Sequence, residues 1–153
     1  MPTRRTMLAA VALSAPALIG SAGMSRATAG ACDHTTATAA LLDRYVAAVN
    51  ANDAAALARL FATGYIQHGG IKGVRDALPD LHLTVDDRIF GDDKIVARNR
   101  WTGTHRGPFL GIAPTGKTVT IHTIDIWRVA DGKLAEHWDV IDIAGVEQQL
   151  RGG

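Results

Sequence analysis

A succession of long strand patterns dominates the second half of the chain. Four segments rich in Val, Ile, Thr and aromatic residues run from residue 81 to residue 143, separated by turn sequences such as GDD and ADG. Such residues favour strands, and short turns favour antiparallel neighbours. Two amphipathic helical patterns come before them. Helices followed by long antiparallel strands indicate an α+β domain, in which the helices and a curved sheet enclose a cone-shaped cavity.

Capping residues predict the ends of the two helices. Thr35 or Thr36 is expected to begin the first helix, and Asp53 the second, because side-chain oxygens of Thr and Asp accept hydrogen bonds from free backbone amides. Gly64 is expected to close the second helix. A short strand with the sequence YIQH, residues 65–68, is expected to follow.

Three ionisable residues interrupt the last two strand patterns. Asp125, His137 and Asp139 occupy positions where a strand usually carries apolar side chains. If residues 130–132 form a three-residue loop, Asp125 lies opposite His137 and all three groups share one face of the sheet. A two-residue turn would instead pair Asp125 with Trp138 and put the other two groups on the opposite face. The glycine of the loop favours the three-residue form.

The shared face would give these groups a chemical use. A carboxylate that faces the interior loses solvation, which raises its pKa toward the range in which a general base works. A second carboxylate or an imidazole beside it can serve as an acid or hold the first group in place. The alternative interpretation is that Asp125 and His137 form a satisfied cross-strand pair on a solvated face.

Composition excludes several classes of partner and site. The chain of 153 residues carries 16 Lys+Arg against 15 Asp+Glu, so it lacks the positive surplus of a nucleic-acid-binding domain. Cys32 is the single cysteine, which rules out an internal disulfide. The sequence EHWD has none of the HExxH helical spacing of zinc enzymes, and no metal is expected.

Residues 1–31 have the features of an export signal. They contain no acidic residue, begin with the pair Arg4–Arg5 and continue through an Ala/Leu-rich stretch to small-residue A-x-A sites. The arginine pair resembles the twin-arginine type of signal. We therefore expect an exported protein, periplasmic or extracellular, with a domain at residues 32–153. A permanent anchor is the alternative, which Pro16 disfavours, and Cys32 is either lipidated or an unpaired thiol near the mature terminus.

Two segments resemble a known family. GTHRGPFLGIAPTGKTVTIHTIDIWRVADGKLAEHWDVID (103–142) and YIQHG (65–69) are similar to sequences of the SnoaL-like polyketide cyclases and predicted ester cyclases. The resemblance implies the nuclear-transport-factor-2-like fold, a conical pocket, catalysis without a cofactor and, by analogy with the fold, a homodimer. The chain departs from the family at Gly69–Gly70, where Asn-Pro is usual, and in a shortened helix before Pro79.

The resemblance also implies a set of site residues. The acid–base aspartate of the family comes from the last hairpin, so either Asp125 or Asp139 is the expected base, with Asp125 preferred. His68 and His137 are expected to line or border the pocket and to assist in catalysis. The candidates for substrate binding are Tyr65, Trp101, His105, His122 and Trp127.

Three functions remain open on the sequence alone. The first is acid–base catalysis, an aldol-type cyclisation or an isomerisation, on a small hydrophobic carbonyl compound. The second is a non-catalytic binding protein for a lipophilic small molecule, an alternative that export favours. The third is an interaction module that dimerises through its sheet. Membrane contact is expected only through the signal peptide or a lipidated Cys32.

Overall fold

The computed structural model describes residues 27–152, which form four helices and one five-stranded sheet. The helices are α1 (Ala27–Asn50), α2 (Ala54–Leu60), α3 (Val74–Ala77) and α4 (Ile143–Arg151). The strands are β1 (Phe61–Gln67), β2 (His82–Phe90), β3 (Lys94–Thr104), β4 (Thr118–Ala130) and β5 (Lys133–Ile141). The predicted α+β architecture is confirmed.

The sheet has the order β1-β5-β4-β3-β2. Strands β2 to β5 are antiparallel neighbours; short turns join β2 to β3 and β4 to β5, and residues 105–117 join β3 to β4. Strand β1 runs parallel to β5 at the edge of the sheet. The hairpin β4–β5 therefore lies near the centre, where its inward side chains can be covered from both sides. This position explains how β4 can carry polar groups that are buried.

Helix α1 begins earlier than its sequence pattern predicts. Most of the predicted signal, residues 1–26, lies outside the described residues, while residues 27–31 and Cys32 belong to α1. The predicted caps at Thr35 and Thr36 are wrong, because the Ala-rich segment before them continues the helix and a single Gly30 does not end it. No helix within residues 27–152 is both long and apolar enough to cross a membrane.

The boundary between α2 and β1 is partly as predicted. The Asp53 side chain caps α2 by accepting a hydrogen bond of 2.8 Å from the Ala56 amide, which confirms the predicted start. The predicted end at Gly64 is wrong, because the helix stops at Leu60 and Phe61 already belongs to β1. Gly64, with a φ of +76°, lies where the pairing of β1 with β5 shifts register. Glycine suits such an irregularity in a strand.

The turn between β4 and β5 is not the predicted three-residue loop. Asp131 and Gly132 form a two-residue turn between Ala130 and Lys133, with φ values of +51° and +69° that are typical of a type I′ turn. A register shift then follows, because Leu134 pairs with Val129 but Glu136 pairs with Arg128. The extra residue, Ala135, is a β-bulge that moves every later side chain of β5 to the other face.

The bulge brings the three ionisable groups to one face. Asp125 lies opposite Asp139, and His137 lies opposite Trp127, so neither predicted partner of Asp125 was right. The shared inward face of Asp125, His137 and Asp139 nevertheless results, since the bulge offsets the effect of the shorter turn. The prediction that the three groups share one face is therefore correct, although the three-residue loop from which it was argued is not present.

Two hydrophobic clusters pack against the inner face of the sheet. One cluster includes Leu41 and Leu42 of α1 together with Trp127, and the other joins Leu78 to Leu150 and Val146 of α4. Helix α1 is also fixed to the edge strand β2, because the Asn50 side chain makes hydrogen bonds of 2.7 and 3.0 Å with the backbone of Leu83. Partly buried residues of both clusters form the walls of a cavity between them.

The turn requires a positive φ at Gly132, and this requirement can be tested by substitution. We expect Gly132→Ala to lower the free energy of unfolding by about 1–2 kcal/mol, since a β-carbon at positive φ meets the following carbonyl oxygen. Gly132→Asn should cost less than half as much, because Asn tolerates this conformation. Urea denaturation of both variants measures the difference, and equal losses would contradict the type I′ turn.

Candidate active site

An inner cavity of about 400 Å³ opens between the helices and the sheet. Three ionisable groups of the cavity lie on the β4–β5 hairpin. One carboxylate oxygen of Asp125, one of Asp139 and one ring nitrogen of His137 all lie within 4.8 Å of one another. The remaining wall is mostly aromatic and aliphatic. The lining residues are Tyr45, Phe61, Tyr65, Gln67, Gly70, Ile71, Val74, Trp101, Ile121, Thr123, Asp125, His137, Asp139 and Ile141.

Asp125 accepts hydrogen bonds from three neighbours. Its side chain is buried, with 3% of the residue's surface exposed. The Asn99 amide on β3 donates to Oδ2 over 2.7 Å, and the hydroxyl of Thr123 donates to the same oxygen. Oδ1 lies 2.8 Å from Nε2 of His137. These three hydrogen bonds hold the carboxylate in one position.

A second group of contacts orients Thr123. The indole nitrogen of Trp101 donates to the Thr123 hydroxyl oxygen over 3.1 Å. Because that oxygen already accepts from Trp101, its own hydrogen is free to point at Asp125. The predicted cavity residue Trp101 thus has two contacts with the site, one as part of the wall and one through Thr123.

His137 is fixed on both edges and on one face. Its ring stacks on Trp127 with the centroids 4.9 Å apart and the planes inclined by 17°. Nδ1 lies 2.7 Å from the amide nitrogen of Gln67 at the end of β1. Trp127, which is 1% exposed, does not line the cavity, so its predicted place in substrate binding is wrong; it packs in the core against one face of the imidazole.

The Asp139 carboxylate differs from that of Asp125 in having no hydrogen-bonding partner within the described part of the chain. Among residues 27–152, no side chain or backbone amide donates to its carboxylate, which faces the cavity. Glycine at position 69 makes room for it, because a β-carbon there would overlap Oδ1 of Asp139. Gly70, at a φ of +109°, adopts a conformation that favours glycine. The departure from the family's Asn-Pro therefore admits this carboxylate.

Two phenols complete the polar lining. Burial, together with the negative charges of Asp125 and Asp139, raises the pKa of Tyr65 from 10.0 to about 12. Burial is also the largest cause that raises the pKa of Tyr45, well above the usual range, and the two carboxylates add to it. Both phenols are therefore protonated at neutral pH, where the Tyr65 hydroxyl donates to Gln67 and the Tyr45 hydroxyl can donate into the cavity.

Three of the predicted histidines lie away from the cavity. His68 lies on the outer face of the sheet, stacked on Trp138 at 4.8 Å and 3.7 Å from Glu136, because it follows the inward Gln67 by one residue. His122 is exposed on the same outer face. His105 is buried in the loop after β3, where its Nδ1 contacts the Thr115 hydroxyl at 3.0 Å. Their predicted places at the pocket are wrong.

Four polar residues that line or support the site were not predicted from the sequence. Asn99 was detectable, since it alternates with Ile95, Ala97 and Trp101 on the inward side of β3. Gln67 was detectable as the residue two places after Tyr65 in the YIQH strand. The other two, Tyr45 and Thr123, gave no separate signal, because a helical aromatic and a strand threonine are ordinary core residues.

The hairpin cluster fits a metal ion poorly. Asp125, His137 and Asp139 have the residue types of a metal site. A ligating imidazole must offer the metal a free nitrogen lone pair, yet both ring nitrogens of His137 already have partners in Asp125 and Gln67. The geometry therefore favours proton chemistry at this cluster.

The raised pKa values predict the titration of the only two tyrosines, Tyr45 and Tyr65. At pH 10, where an exposed tyrosine is half ionised, we expect about a tenth or less of the phenols in the folded protein to be ionised. The unfolded chain loses these protons first, so stability should fall as the pH rises above 10. Ultraviolet difference spectra measure ionisation, with the denatured protein as control. Half-ionisation of the folded protein at pH 10 would contradict the burial of both phenols.

Comparisons with known proteins agree with this architecture. Residues 39–150 match the family model of the SnoaL-like polyketide cyclases. TsrD from Streptomyces laurentii is 32% identical, with 77% of this chain and 97% of that chain covered and a TM-score of 0.68. AclR from Streptomyces galilaeus, for which a hydroxylase activity has been suggested, is 29% identical, with 76% and 85% covered and a TM-score of 0.69.

A third solved structure gives the same result. IdmH from Streptomyces antibioticus, for which a polyketide cyclase activity has been suggested, is 25% identical, with 73% of this chain and 96% of that chain covered and a TM-score of 0.65. A search of curated proteins found no match. The expected nuclear-transport-factor-2-like fold is confirmed, and the chain belongs to the SnoaL-like polyketide cyclase family.

Proposed function

We propose that this protein catalyses an aldol-type cyclisation or an isomerisation of a small, uncharged, hydrophobic carbonyl compound, without a cofactor. Family membership supports a cyclase or isomerase role. The observation that carries the finer proposal is the carboxylate of Asp139, which faces an apolar cavity and has no hydrogen-bonding partner among residues 27–152. Beside it, both oxygens of the Asp125 carboxylate accept hydrogen bonds from neighbouring side chains.

The charge of the cavity supports an uncharged substrate. Two carboxylates, Asp125 and Asp139, line it, and none of its lining residues is Lys or Arg. A carboxylate or phosphate group on the ligand would meet like charge in a site of low polarity, where repulsion is strong. The aromatic and aliphatic walls favour a hydrophobic body of modest size, in keeping with a volume of about 400 Å³.

Asp139 is the better candidate for the base. A general base needs an oxygen that can reach the substrate proton, and the three donors around Asp125 occupy both of its oxygens. Asp139 would take a proton from the carbon next to the carbonyl group. In a cyclisation, the resulting enolate carbon bonds to a second carbonyl carbon, and the proton on Asp139 passes to the new alkoxide. In an isomerisation, the proton returns to another carbon.

Tyr45 is our candidate for stabilising the enolate oxygen. Its phenol lines the cavity and, among residues 27–152, makes no side-chain hydrogen bond. The raised pKa of Tyr45 keeps its proton available for donation. An enolate formed beside the Asp125 carboxylate, with Asp139 protonated by the transfer, needs such a donor, because a negative charge next to Asp125 is otherwise unfavourable. This role replaces the one expected of His68, which lies on the outer face.

The two aspartates should respond differently to the same substitution. We expect Asp139→Asn to slow hydrogen–deuterium exchange at the α-carbon of 1-tetralone, a neutral aryl ketone, by about 10²–10⁴-fold with little loss of stability. Asp125→Asn should lower the free energy of unfolding by about 1–3 kcal/mol, since one amide cannot accept from all three donors. Nuclear magnetic resonance in D₂O measures exchange, and urea denaturation measures stability.

Two further variants make this test specific. Gly69→Ala should also slow the exchange, because its methyl group forces the Asp139 side chain away from its present position without changing either carboxylate. Asp92→Asn, the same chemical change in the exposed turn after β2, should alter nothing. Full activity of Asp139→Asn would remove Asp139 as the base.

The binding-protein alternative remains a second candidate, since the apolar cavity would suit it equally. It predicts that the protein binds 1-tetralone, or retains another neutral ligand through purification, without accelerating exchange in any variant. Equal affinity of the wild type and Asp139→Asn with no exchange in either would support binding alone. Export remains a prediction from residues 1–31, and an extracytoplasmic protein would need a substrate available outside the cytoplasm.

We also propose that two copies pair through the outer face of the sheet. Ile124 and Val140 are cross-strand neighbours there, and Val140 is 73% exposed. Ile66 on β1 continues the apolar surface. We expect light scattering to give a dimer mass for the wild type and a monomer mass for Val140→Glu. A monomeric wild type would contradict the pairing.

A further inference from the structure

Gln67 has an unusual set of contacts for a residue at the mouth of a cavity. Its amide nitrogen lies 2.8 Å from the carbonyl oxygen of Gly69 and 2.7 Å from Nδ1 of His137. Its amide oxygen accepts the Tyr65 hydroxyl hydrogen over 2.7 Å. All the hydrogen-bonding groups of this side chain therefore have defined partners within the same protein.

The Gly69 carbonyl fixes the orientation of the Gln67 amide. A backbone carbonyl oxygen can only accept, so the amide atom that faces it must be the nitrogen. The same nitrogen carries the second hydrogen that points at Nδ1 of His137, and Nδ1 must therefore offer a lone pair. The reversed amide would put two oxygens 2.8 Å apart, which is repulsive.

These contacts fix the tautomer of a neutral His137. With Nδ1 as an acceptor, a neutral imidazole carries its hydrogen on Nε2, which lies 2.8 Å from Oδ1 of Asp125. The contact between His137 and Asp125 is therefore a hydrogen bond from a neutral ring, and not an ion pair. A second proton on Nδ1 would point directly at an amide hydrogen of Gln67.

We infer that Gln67 is a positioning residue that holds His137 neutral, in the Nε2–H form, and thereby fixes Asp125 as an acceptor. Gln67 thereby acts against the nearby negative charges, which favour a second proton on the imidazole. The groups that face His137 are Asp125 on β4, Asp139 on its own strand, Tyr65 on β1 and Tyr45 on α1. Two carboxylates would attract a second proton to the imidazole, and the Gln67 amide leaves that proton no acceptor.

The inference deepens the proposed function by excluding His137 from proton transfer. Both ring nitrogens of His137 are engaged in hydrogen bonds, with Gln67 and with Asp125, so His137 cannot give a proton to the substrate while Gln67 keeps its position. Its action is indirect, through Asp125. The protonation state can be measured in the resting protein, so a failure of this inference can be distinguished from a failure of the proposed catalysis.

Long-range proton–nitrogen correlation spectra of the full chain test the assignment. The signals of His137, identified by their loss in His137→Gln, should show a protonated Nε2 and an unprotonated Nδ1 at pH 7. In Gln67→Glu, a carboxylate replaces the amide donor and both nitrogens should be protonated at the same pH. Gln148→Glu makes the same change on the exposed side of α4 and should leave the His137 signals as in the wild type.

Three outcomes would overturn the inference. The first is a wild-type His137 with its proton on Nδ1 or on both nitrogens. The second is a Gln67→Glu spectrum identical to that of Gln148→Glu. The third is a shift of the His137 signals on addition of Zn²⁺ to the wild type, because coordination at either ring nitrogen would require His137 to leave Gln67 or Asp125. If Gln67→Glu fails to fold, Gln67→Met removes the donor without adding charge and should allow a second proton at a higher pH than in the wild type.

Discussion

The buried carboxylate of Asp125, in the middle of a central strand, is the feature on which the site depends. Taking an ion of this size out of water costs several kcal/mol even after relaxation, so it persists only where donors replace the lost water. Asn99, Thr123 and His137 supply those donors from three adjacent strands. Asn99 on β3 and His137 on β5 can reach Asp125 only in one register, and the charge therefore makes the pairing of β3, β4 and β5 specific.

Two series of donors converge on that charge. On one side Tyr65 donates to Gln67, which donates to His137, which donates to Asp125. On the other side Trp101 donates to Thr123, whose hydroxyl donates to Asp125. Hydrogen bonds that point the same way polarise one another, so each series is expected to strengthen its last bond. The cavity wall is consequently stiff where it carries polar groups.

The sequence predicts the architecture and the identity of the hairpin groups, but not their register. Residue types at alternating positions indicate strands, and local turn residues indicate where they end. The bulge at Ala135 leaves no such signal, because an extra alanine in a strand looks like any other residue. His68 shows a related limit, since the two faces of β1 can be told apart only when its pairing with β5 is known. The inward position of Asn99, in contrast, could be predicted from the alternation of residues along β3 alone.

A division of labour between the two carboxylates follows from their surroundings. Asp125 and Asp139 are directly opposite one another, yet one accepts three hydrogen bonds and the other none among the described residues. Three donors hold the Asp125 side chain in one position, whereas the Asp139 side chain can reach a ligand without breaking any hydrogen bond within residues 27–152. The glycine at position 69 leaves space for the free carboxylate without supplying a hydrogen bond to it. A carboxylate that is held in place and one that is free to reach a substrate can therefore lie a few ångströms apart, because the side-chain donors among the described residues serve only one of them.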